Sequence, residues 1–174
     1  MKLLPLPVSN SVVPVYITCI AAREQWMCYK TVLLFLSTKD EIDTKPLIQA
    51  AFEDKKVVFV PKVIENDLHF FRIADLSGLE LGAFNIREPR GGVKLTDQDF
   101  PACIIAPGLA FDRNGRRLGR GKGYYDRFFT EIDRKGLPYL SIGLCSVEHI
   151  VDEVPSTAFD KKMDAVIAVD LTAI

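Results

Sequence analysis

Short apolar runs rich in β-branched and aromatic residues most constrain how this chain can fold. Their sequences are TVLLFL at 31–36, VVFV at 57–60, LHFFRI at 68–73, ACIIAP at 102–107, YLSIGL at 139–144 and AVIAV at 165–169. Runs of this length are too short for a helix of three turns and are typical of strands buried within a sheet. We expect Pro61 to end the second strand, and the third to lie at an edge of the sheet.

Segments with helical patterning separate these strands. After Pro46, apolar residues recur on one helical face at Leu47, Ile48, Ala51 and Phe52, and residues 124–134 form a second predicted helix. Strands that alternate with helices indicate parallel pairing. The chain is therefore predicted to have an α/β fold, a three-layer α/β/α Rossmann-like sandwich with a mostly parallel sheet. Residues 74–101 are rich in turn residues and are expected to form ligand-contacting loops.

Composition places these elements in one globular domain over residues 1–174. Hydrophobic residues make up 48% of the chain and charged residues 26%, which excludes a disordered chain or a coiled coil. Residues 1–28 are an atypical segment, because prolines interrupt an apolar run that suits neither a signal peptide nor a membrane span. With 22 basic and 23 acidic side chains, the net charge of -1 draws the protein to neither nucleic acid nor a membrane.

The four cysteines are widely scattered. They form no CxxC pair and have no histidine at metal-ligand spacing, which argues against a zinc site. A chain with this much apolar material does not need disulfides to fold. We therefore expect reduced thiols and a cytoplasmic protein.

The segment RRLGRGKGYYD at 116–126 carries most of the chemical information. Three glycines alternate with Arg120 and Lys122 directly before the predicted helix. Glycines let a backbone approach a ligand closely, and the N–H groups at the start of a helix attract anions. The spacing matches neither the P-loop nor the dinucleotide G-x-G-x-x-G motif. It predicts a different polyphosphate site, with a solvated turn of arginine and glycine as the alternative.

The longer stretch PGLAFDRNGRRLGRGKGYYDRFF at 107–129 resembles the signature of the 5-formyltetrahydrofolate cyclo-ligase family. The resemblance extends to residues 31–52, 82–89 and 151–167. It implies an ATP- and magnesium-dependent enzyme of one-carbon metabolism that converts 5-formyltetrahydrofolate into 5,10-methenyltetrahydrofolate and releases ADP and phosphate. In the family's mechanism the formyl oxygen attacks the γ-phosphate, and N10 of the folate then displaces the phosphate. Such chemistry requires positioning and positive charge around the phosphoryl group.

The same resemblance implies roles for individual residues. The nucleotide loop comprises Arg117, Leu118, Gly119, Arg120, Gly121, Lys122, Gly123, Tyr124 and Tyr125. Within it, Arg120 and Lys122 are the catalytic cations nearest the phosphates. Magnesium is assigned to Asp126 and Asp160, with Asp164 as a neighbour that could be confused with Asp160. The folate is assigned to Leu36, Glu41, Phe84 and Tyr124.

The N-terminus departs from the family's pattern, in which a lysine and an arginine four residues later bind ATP. This chain has MKLLPLPVSNSVVP there, and Lys2 has no partner at that spacing. ATP capture is expected to be weaker as a result. The alternative is a non-catalytic relative that binds nucleotide or formylated folate. RNA binding through residues 113–127 is a further alternative, which the near-neutral remainder of the chain disfavours. We thus expect small-molecule substrates, no nucleic-acid or membrane partner, and a monomer.

Overall fold

A six-stranded, mostly parallel sheet forms the centre of the fold. The structure is a computed structural model that describes residues 24–82, 86–155, 157 and 160–170. Its helices are α1 (Glu24–Cys28), α2 (Lys45–Glu53) and α3 (Tyr124–Arg134). Its strands are β1 (Thr31–Leu34), β2 (Val57–Ile64), β3 (Asp67–Ile73), β4 (Leu79–Leu81), β5 (Arg87–Pro89), β6 (Ala102–Ala106), β7 (Ala110–Phe111), β8 (Arg117–Leu118), β9 (Tyr139–Ser146) and β10 (Ala165–Val169).

The order of strands in the sheet creates a crevice at one edge. The order is β10-β9-β6-β1-β2-β3, and every neighbouring pair is parallel except β2 and β3. From β1 the chain proceeds outward to β2 and β3, whereas from β6 it proceeds the other way to β9 and β10. The connections after β1 and β6 therefore diverge at the carboxyl edge. In open α/β sheets such a switch point is where ligands bind.

Both faces of the sheet are covered, because successive side chains along each strand pack on opposite faces. Val32 and Leu34 of β1 pack in one buried cluster with Leu47 of α2. Leu33 packs in the other cluster, which contains Phe129 of α3. Because successive side chains of a strand point to opposite faces, α2 and α3 lie on opposite sides of the sheet. The prediction of a three-layer α/β/α sandwich is thereby confirmed.

The prediction that Pro61 ends the second strand is wrong. Strand β2 continues to Ile64, and Pro61 lies opposite Phe70 of β3. The pairing of β2 with β1 has already ended at Phe59, so the side of β2 that faced β1 no longer needs an N–H donor at Pro61. Strand β3 lies at the edge of the sheet, as predicted.

Two small hairpins were not predicted. Strands β4 and β5 pair within the turn-rich region, and β7 pairs with β8 within the longer stretch at 107–129. Each has strands of only two or three residues, too short to produce a periodic pattern.

The atypical segment at 1–28 is described only from residue 24, so the prediction for Lys2 lies outside the described residues. Its last part is the helix α1, which is anchored by Trp26. That side chain is buried and donates from Nε1 to Asp54 Oδ2 at 2.9 Å. None of the described helices is long and apolar enough to cross a membrane.

Candidate active site

Two loops meet at the carboxyl edge of the sheet. One connects β1 to α2 and carries Glu41. The other connects β6 to α3 and contains residues 107–123, which include the β7–β8 hairpin. We call the second part of it, residues 119–123, the glycine loop. Because the two loops leave adjacent parallel strands, the topology places Leu36 and Glu41, which are assigned to folate, opposite the loop that is assigned to nucleotide.

Asp112 holds the first half of the β6–α3 connection in place. Its Oδ1 accepts hydrogen bonds from the N–H groups of Asn114 at 2.8 Å and Arg116 at 3.1 Å, and its Oδ2 accepts one from Val154 at 3.1 Å. Burial alone would raise the pKa of this carboxyl group. The backbone donors and the Arg116 guanidinium outweigh burial, so the pKa of Asp112 is held below its ordinary value. The sequence analysis did not identify Asp112, although aspartate two residues before Asn-Gly is typical of a turn.

The conformation and packing of the glycine loop require glycine at three of its positions. Gly121 and Gly123 have positive φ angles of 81° and 65°, which an L side chain adopts only with strain. At Gly119 a Cβ atom would lie 3.0 Å from Nη1 of Arg117. Gly123 directly precedes α3, so the loop ends where that helix begins. The helix start therefore presents N–H donors beside this loop, as an anion site requires.

Arg117 lies beneath the loop and pairs with Asp126. Its side chain is 5% exposed, and Nη2 lies 3.1 and 3.0 Å from the two carboxylate oxygens of Asp126. The guanidinium also lies over the ring of Tyr125, 5.4 Å from its centroid. In this structure Arg117 is thus a buried cation that fixes the first turn of α3.

Arg120 and Lys122 are more exposed. Nη2 of Arg120 lies 3.3 Å from Oε1 of Glu41, although the Arg120 side chain is 58% exposed. Glu41 is held in turn by the N–H of Thr38, which donates to Oε2 at 2.9 Å. Lys122 has an exposed side chain. Both loop cations are therefore accessible to an incoming anion.

The two tyrosines differ in their surroundings. Tyr125 packs edge-on against Phe70 with 6.4 Å between ring centroids. Its hydroxyl is buried and has no hydrogen-bond partner among the described residues. Burial raises the pKa of Tyr125 well above its ordinary value. Tyr124 is half-buried, and the guanidinium of Arg127 lies 5.3 Å from its ring centroid.

The two acids assigned to magnesium lie in one groove. Asp126 and Asp160 both line an open groove of about 710 Å³ that runs beside the start of α3. The N–H of Lys161, the residue after Asp160, donates to Asp126 Oδ1 at 3.3 Å. Asp164 instead accepts hydrogen bonds from Ser141 at the amino end of β9, so the structure separates it from this groove.

The described residues contain no group of three or more histidine, cysteine, aspartate or glutamate side chains that could hold a metal ion alone. Two carboxylates in one groove nevertheless suit Mg²⁺, which keeps several waters and commonly takes one or two carboxylates together with substrate phosphates. The donor set of Asp126 and Asp160 thus fits a magnesium ion that arrives with a nucleotide.

Of the two remaining residues assigned to folate, the structure describes one. Leu36 follows β1 at the carboxyl edge of the sheet and is buried in the cluster that also contains residues of α2. Phe84 lies outside the described residues. The sequence analysis also missed Arg127, whose Nη1 donates to the carbonyl oxygen of Lys122 in the glycine loop at 2.8 Å.

The sequence and the fold of this chain are both similar to those of known proteins. A sequence model of the 5-formyltetrahydrofolate cyclo-ligase family matches residues 17–169. The probable 5-formyltetrahydrofolate cyclo-ligase of Schizosaccharomyces pombe is 33% identical over 156 residues, covering 82% of this chain and 76% of that protein. That of Caenorhabditis elegans is 35% identical over 149 residues, covering 79% and 72%. The NMR structure of Aquifex aeolicus 5,10-methenyltetrahydrofolate synthetase has a TM-score of 0.72 at 32% identity, covering 87% of this chain and 75% of that one. The resemblance seen in the sequence is confirmed, and the chain belongs to the 5-formyltetrahydrofolate cyclo-ligase family.

Proposed function

We propose that this protein catalyses the ATP-dependent conversion of 5-formyltetrahydrofolate into 5,10-methenyltetrahydrofolate, with release of ADP and phosphate. The observation that carries the proposal is the placement of the glycine loop. It brings Arg120, Lys122 and the start of α3 to the same crevice as Glu41, so a nucleotide and a folate could meet there. Family membership supplies the identity of the reaction.

The loop cations would bind and orient the triphosphate. Arg120 and Lys122 are exposed on the loop, so their positive charge would face the transferring phosphoryl group without first breaking a buried interaction. The N–H groups at the start of α3 would add fixed positive dipoles. Phosphoryl transfer depends chiefly on such positioning and electrostatic stabilisation.

Asp126 and Asp160 are the residues that would hold magnesium. When bound, the ion would neutralise charge on the phosphate oxygens. Arg117 would keep the Asp126 carboxylate oriented, because it pairs with that carboxylate through Nη2.

The folate is assigned to Glu41 and Leu36 on the β1–α2 side of the crevice and to Tyr124 at the start of α3, with Phe84 as a further stacking residue. The Glu41 carboxylate can accept hydrogen bonds from pterin N–H donors. Once activated by phosphorylation of its oxygen, the formyl carbon would be attacked by N10, which loses its proton as phosphate leaves. A closed site would protect that intermediate from water.

We also propose that the protein works as a monomer in the cytoplasm, with small-molecule substrates and with no nucleic-acid or membrane partner. The near-neutral charge supports the last point, since nucleic-acid binding relies on an extended positive surface. Sedimentation of the purified protein tests the oligomeric state. Fractionation of its native cells tests the location.

The decisive experiment follows methenyl-folate absorbance while the protein is mixed with 5-formyltetrahydrofolate, ATP and magnesium, beside a control without ATP. An ATP-dependent rise is expected. The sequence MKLLPLPVSNSVVP, which differs from the lysine and arginine pattern of the family, motivates a second candidate, a relative that binds nucleotide or formylated folate without turnover. A folded protein that binds a fluorescent ATP analogue but gives no rise in absorbance would support this second candidate and contradict the first.

A further inference from the structure

The side chain of Arg127 joins two separate parts of the fold. It lies in the first turn of α3 and is 50% exposed. Its Nη1 donates to the carbonyl oxygen of Lys122 at 2.8 Å, its Nη2 donates to the carbonyl oxygen of Asn66, and its Nε lies 3.3 Å from Oδ1 of Asp67. The guanidinium also lies over Tyr124. One side chain thus contacts the glycine loop and the β2–β3 hairpin together.

The backbone on both sides is shaped to allow these contacts. Glu65 and Asn66 have positive φ angles of 50° and 67°, as a two-residue type I′ turn between β2 and β3 requires. On the other side, a Cβ atom at Gly123 would lie 3.2 Å from Arg127 Nη1, so glycine leaves the space that the guanidinium uses. A guanidinium presents its donors in a rigid planar fork, which a lysine lacks.

The glycine loop needs such an anchor because its glycines give the backbone unusual freedom. At one point the loop is joined to the β1–α2 connection by the ion pair of Arg120 with Glu41. At the Lys122 carbonyl it is joined to the hairpin through Arg127. The segment that carries Lys122 is therefore fixed to the β1–α2 connection at Arg120 and to the β2–β3 hairpin at the Lys122 carbonyl.

We propose that Arg127 is a positioning residue that ties the glycine loop to the β2–β3 hairpin and so holds Lys122 in place for the nucleotide phosphates. The inference rests on the proposed function, because it takes the glycine loop as the nucleotide site. Loss of the tie frees the loop and weakens ATP capture. We expect folate binding to change less, because Arg127 contacts neither Leu36 nor Glu41 among the described residues and reaches the folate-assigned Tyr124 only through the face of its ring.

The test measures kcat and the KM for each substrate in Arg127→Ala and Arg127→Lys. We expect Arg127→Ala to raise the KM for Mg-ATP about tenfold, as loss of one charge-assisted contact would. The KM for 5-formyltetrahydrofolate should stay within about twofold. Arg127→Lys should restore little of the loss, because an ammonium cannot reach three acceptors in one plane. Millimolar guanidinium should lower the raised KM of Arg127→Ala, whereas sodium chloride at equal ionic strength should not.

Lys135→Ala is the matched control. Lys135 lies just after α3 and also forms exposed ion pairs, with Asp97 and Glu131, but about 12 Å along the helix from Arg127. Its loss should leave both KM values unchanged. Asp67→Asn removes the charged acceptor on the hairpin and should raise the KM for Mg-ATP about threefold, with no additional effect in Arg127→Ala.

Binding of a fluorescent ADP analogue separates this inference from the proposed function. If the wild-type protein binds the analogue but does not convert 5-formyltetrahydrofolate in the presence of ATP, the proposed reaction fails. The inference is then judged by whether Arg127→Ala weakens binding of the analogue. Equal affinity of wild type and Arg127→Ala would overturn the inference. So would equal increases in both substrate KM values. Absence of nucleotide binding by the wild-type protein would overturn both.

Discussion

Nη2 of Arg120 lies 3.3 Å from Oε1 of Glu41, so an ion pair spans the crevice between the glycine loop and the β1–α2 connection. The two residues are 79 positions apart in the chain and meet because β1 and β6 are adjacent parallel strands. The pair links the side assigned to nucleotide with the side assigned to folate. Each partner can therefore be tested through the substrate that it is expected to bind.

Arg120→Ala should lower kcat/KM by at least about tenfold, since a charge-assisted contact to phosphate contributes about 1.5–3 kcal/mol. The free energy of unfolding should change by less than about 1 kcal/mol, because exposed ion pairs contribute little. Steady-state kinetics and urea unfolding measure the two effects. Arg90→Ala, which removes an exposed ion pair with Glu80, should leave kcat/KM unchanged. Unchanged kcat/KM in Arg120→Ala would remove Arg120 from the site.

Lys122→Ala should reduce kcat at least about a hundredfold, because a cation that neutralises charge in the phosphoryl-transfer transition state contributes more there than in binding. The fold should persist, since the Lys122 side chain is exposed and the interaction described here is made by its backbone carbonyl. Single-turnover kinetics, with circular dichroism as the check on folding, distinguish the two effects. A variant that loses only affinity for ATP, with kcat intact, would show that Lys122 binds without acting in the chemical step.

Much of the fold could be predicted from the sequence because the buried strands and helices have strong patterns. The helix at residues 124–134 has the predicted bounds, since its charged and aromatic residues alternate with helical periodicity after a run of glycines. Strand β2 was predicted too short, because the effect of Pro61 depends on which neighbour still pairs with the strand there. That information is held in the register of β1, β2 and β3 and not in the local sequence.

The candidate site was predictable only where a single segment carries it. The glycine loop is contiguous, so its composition was enough to indicate a phosphate site. Asp112 and Arg127 were not identified because each also has a partner that is distant in the chain. Asp112 accepts a hydrogen bond from Val154, and Arg127 binds the carbonyl of Asn66. Neither position has a residue type that signals such a contact without the tertiary structure.

Asp126→Ala should destabilise the fold as well as abolish the response to magnesium. Removing the carboxylate leaves the buried Arg117 guanidinium without its charged partner, which typically costs about 3 kcal/mol. Asp160→Ala is the comparison. Asp160 accepts a hydrogen bond from the backbone N–H of Thr157 at 2.6 Å, so its loss should cost only about 1 kcal/mol. Urea unfolding and magnesium titration of activity measure both variants. Equal stability of the two would contradict the buried pairing of Arg117 with Asp126.

Asp112 should make the stability of the fold depend on pH in the acid range. Its folded pKa is lowered, so its contribution is fully present above the ordinary value of 3.8 and is lost as pH falls through the lower folded value. Asp112→Asn removes an acceptor from buried N–H donors and should cost about 1–3 kcal/mol at neutral pH. It should also flatten the acid dependence of the urea midpoint. A variant with the same slope as wild type below pH 4 would assign that slope to other carboxyl groups.

Gly143 and Phe111 connect the sheet to the loop that carries the site. Gly143 lies in β9, and a Cβ atom there would clash with the ring of Phe111, which is fully buried on β7. Gly143→Ala should therefore destabilise the protein by about 1–3 kcal/mol through overpacking. Because β7 forms the hairpin that leads into the glycine loop, the KM for Mg-ATP should rise as well.

Phe111→Leu, introduced into Gly143→Ala, should recover part of the lost stability by making room for the methyl group. Urea unfolding of the two single variants and the double variant measures the coupling. Simple additivity of their effects would show that the two residues do not compete for the same space.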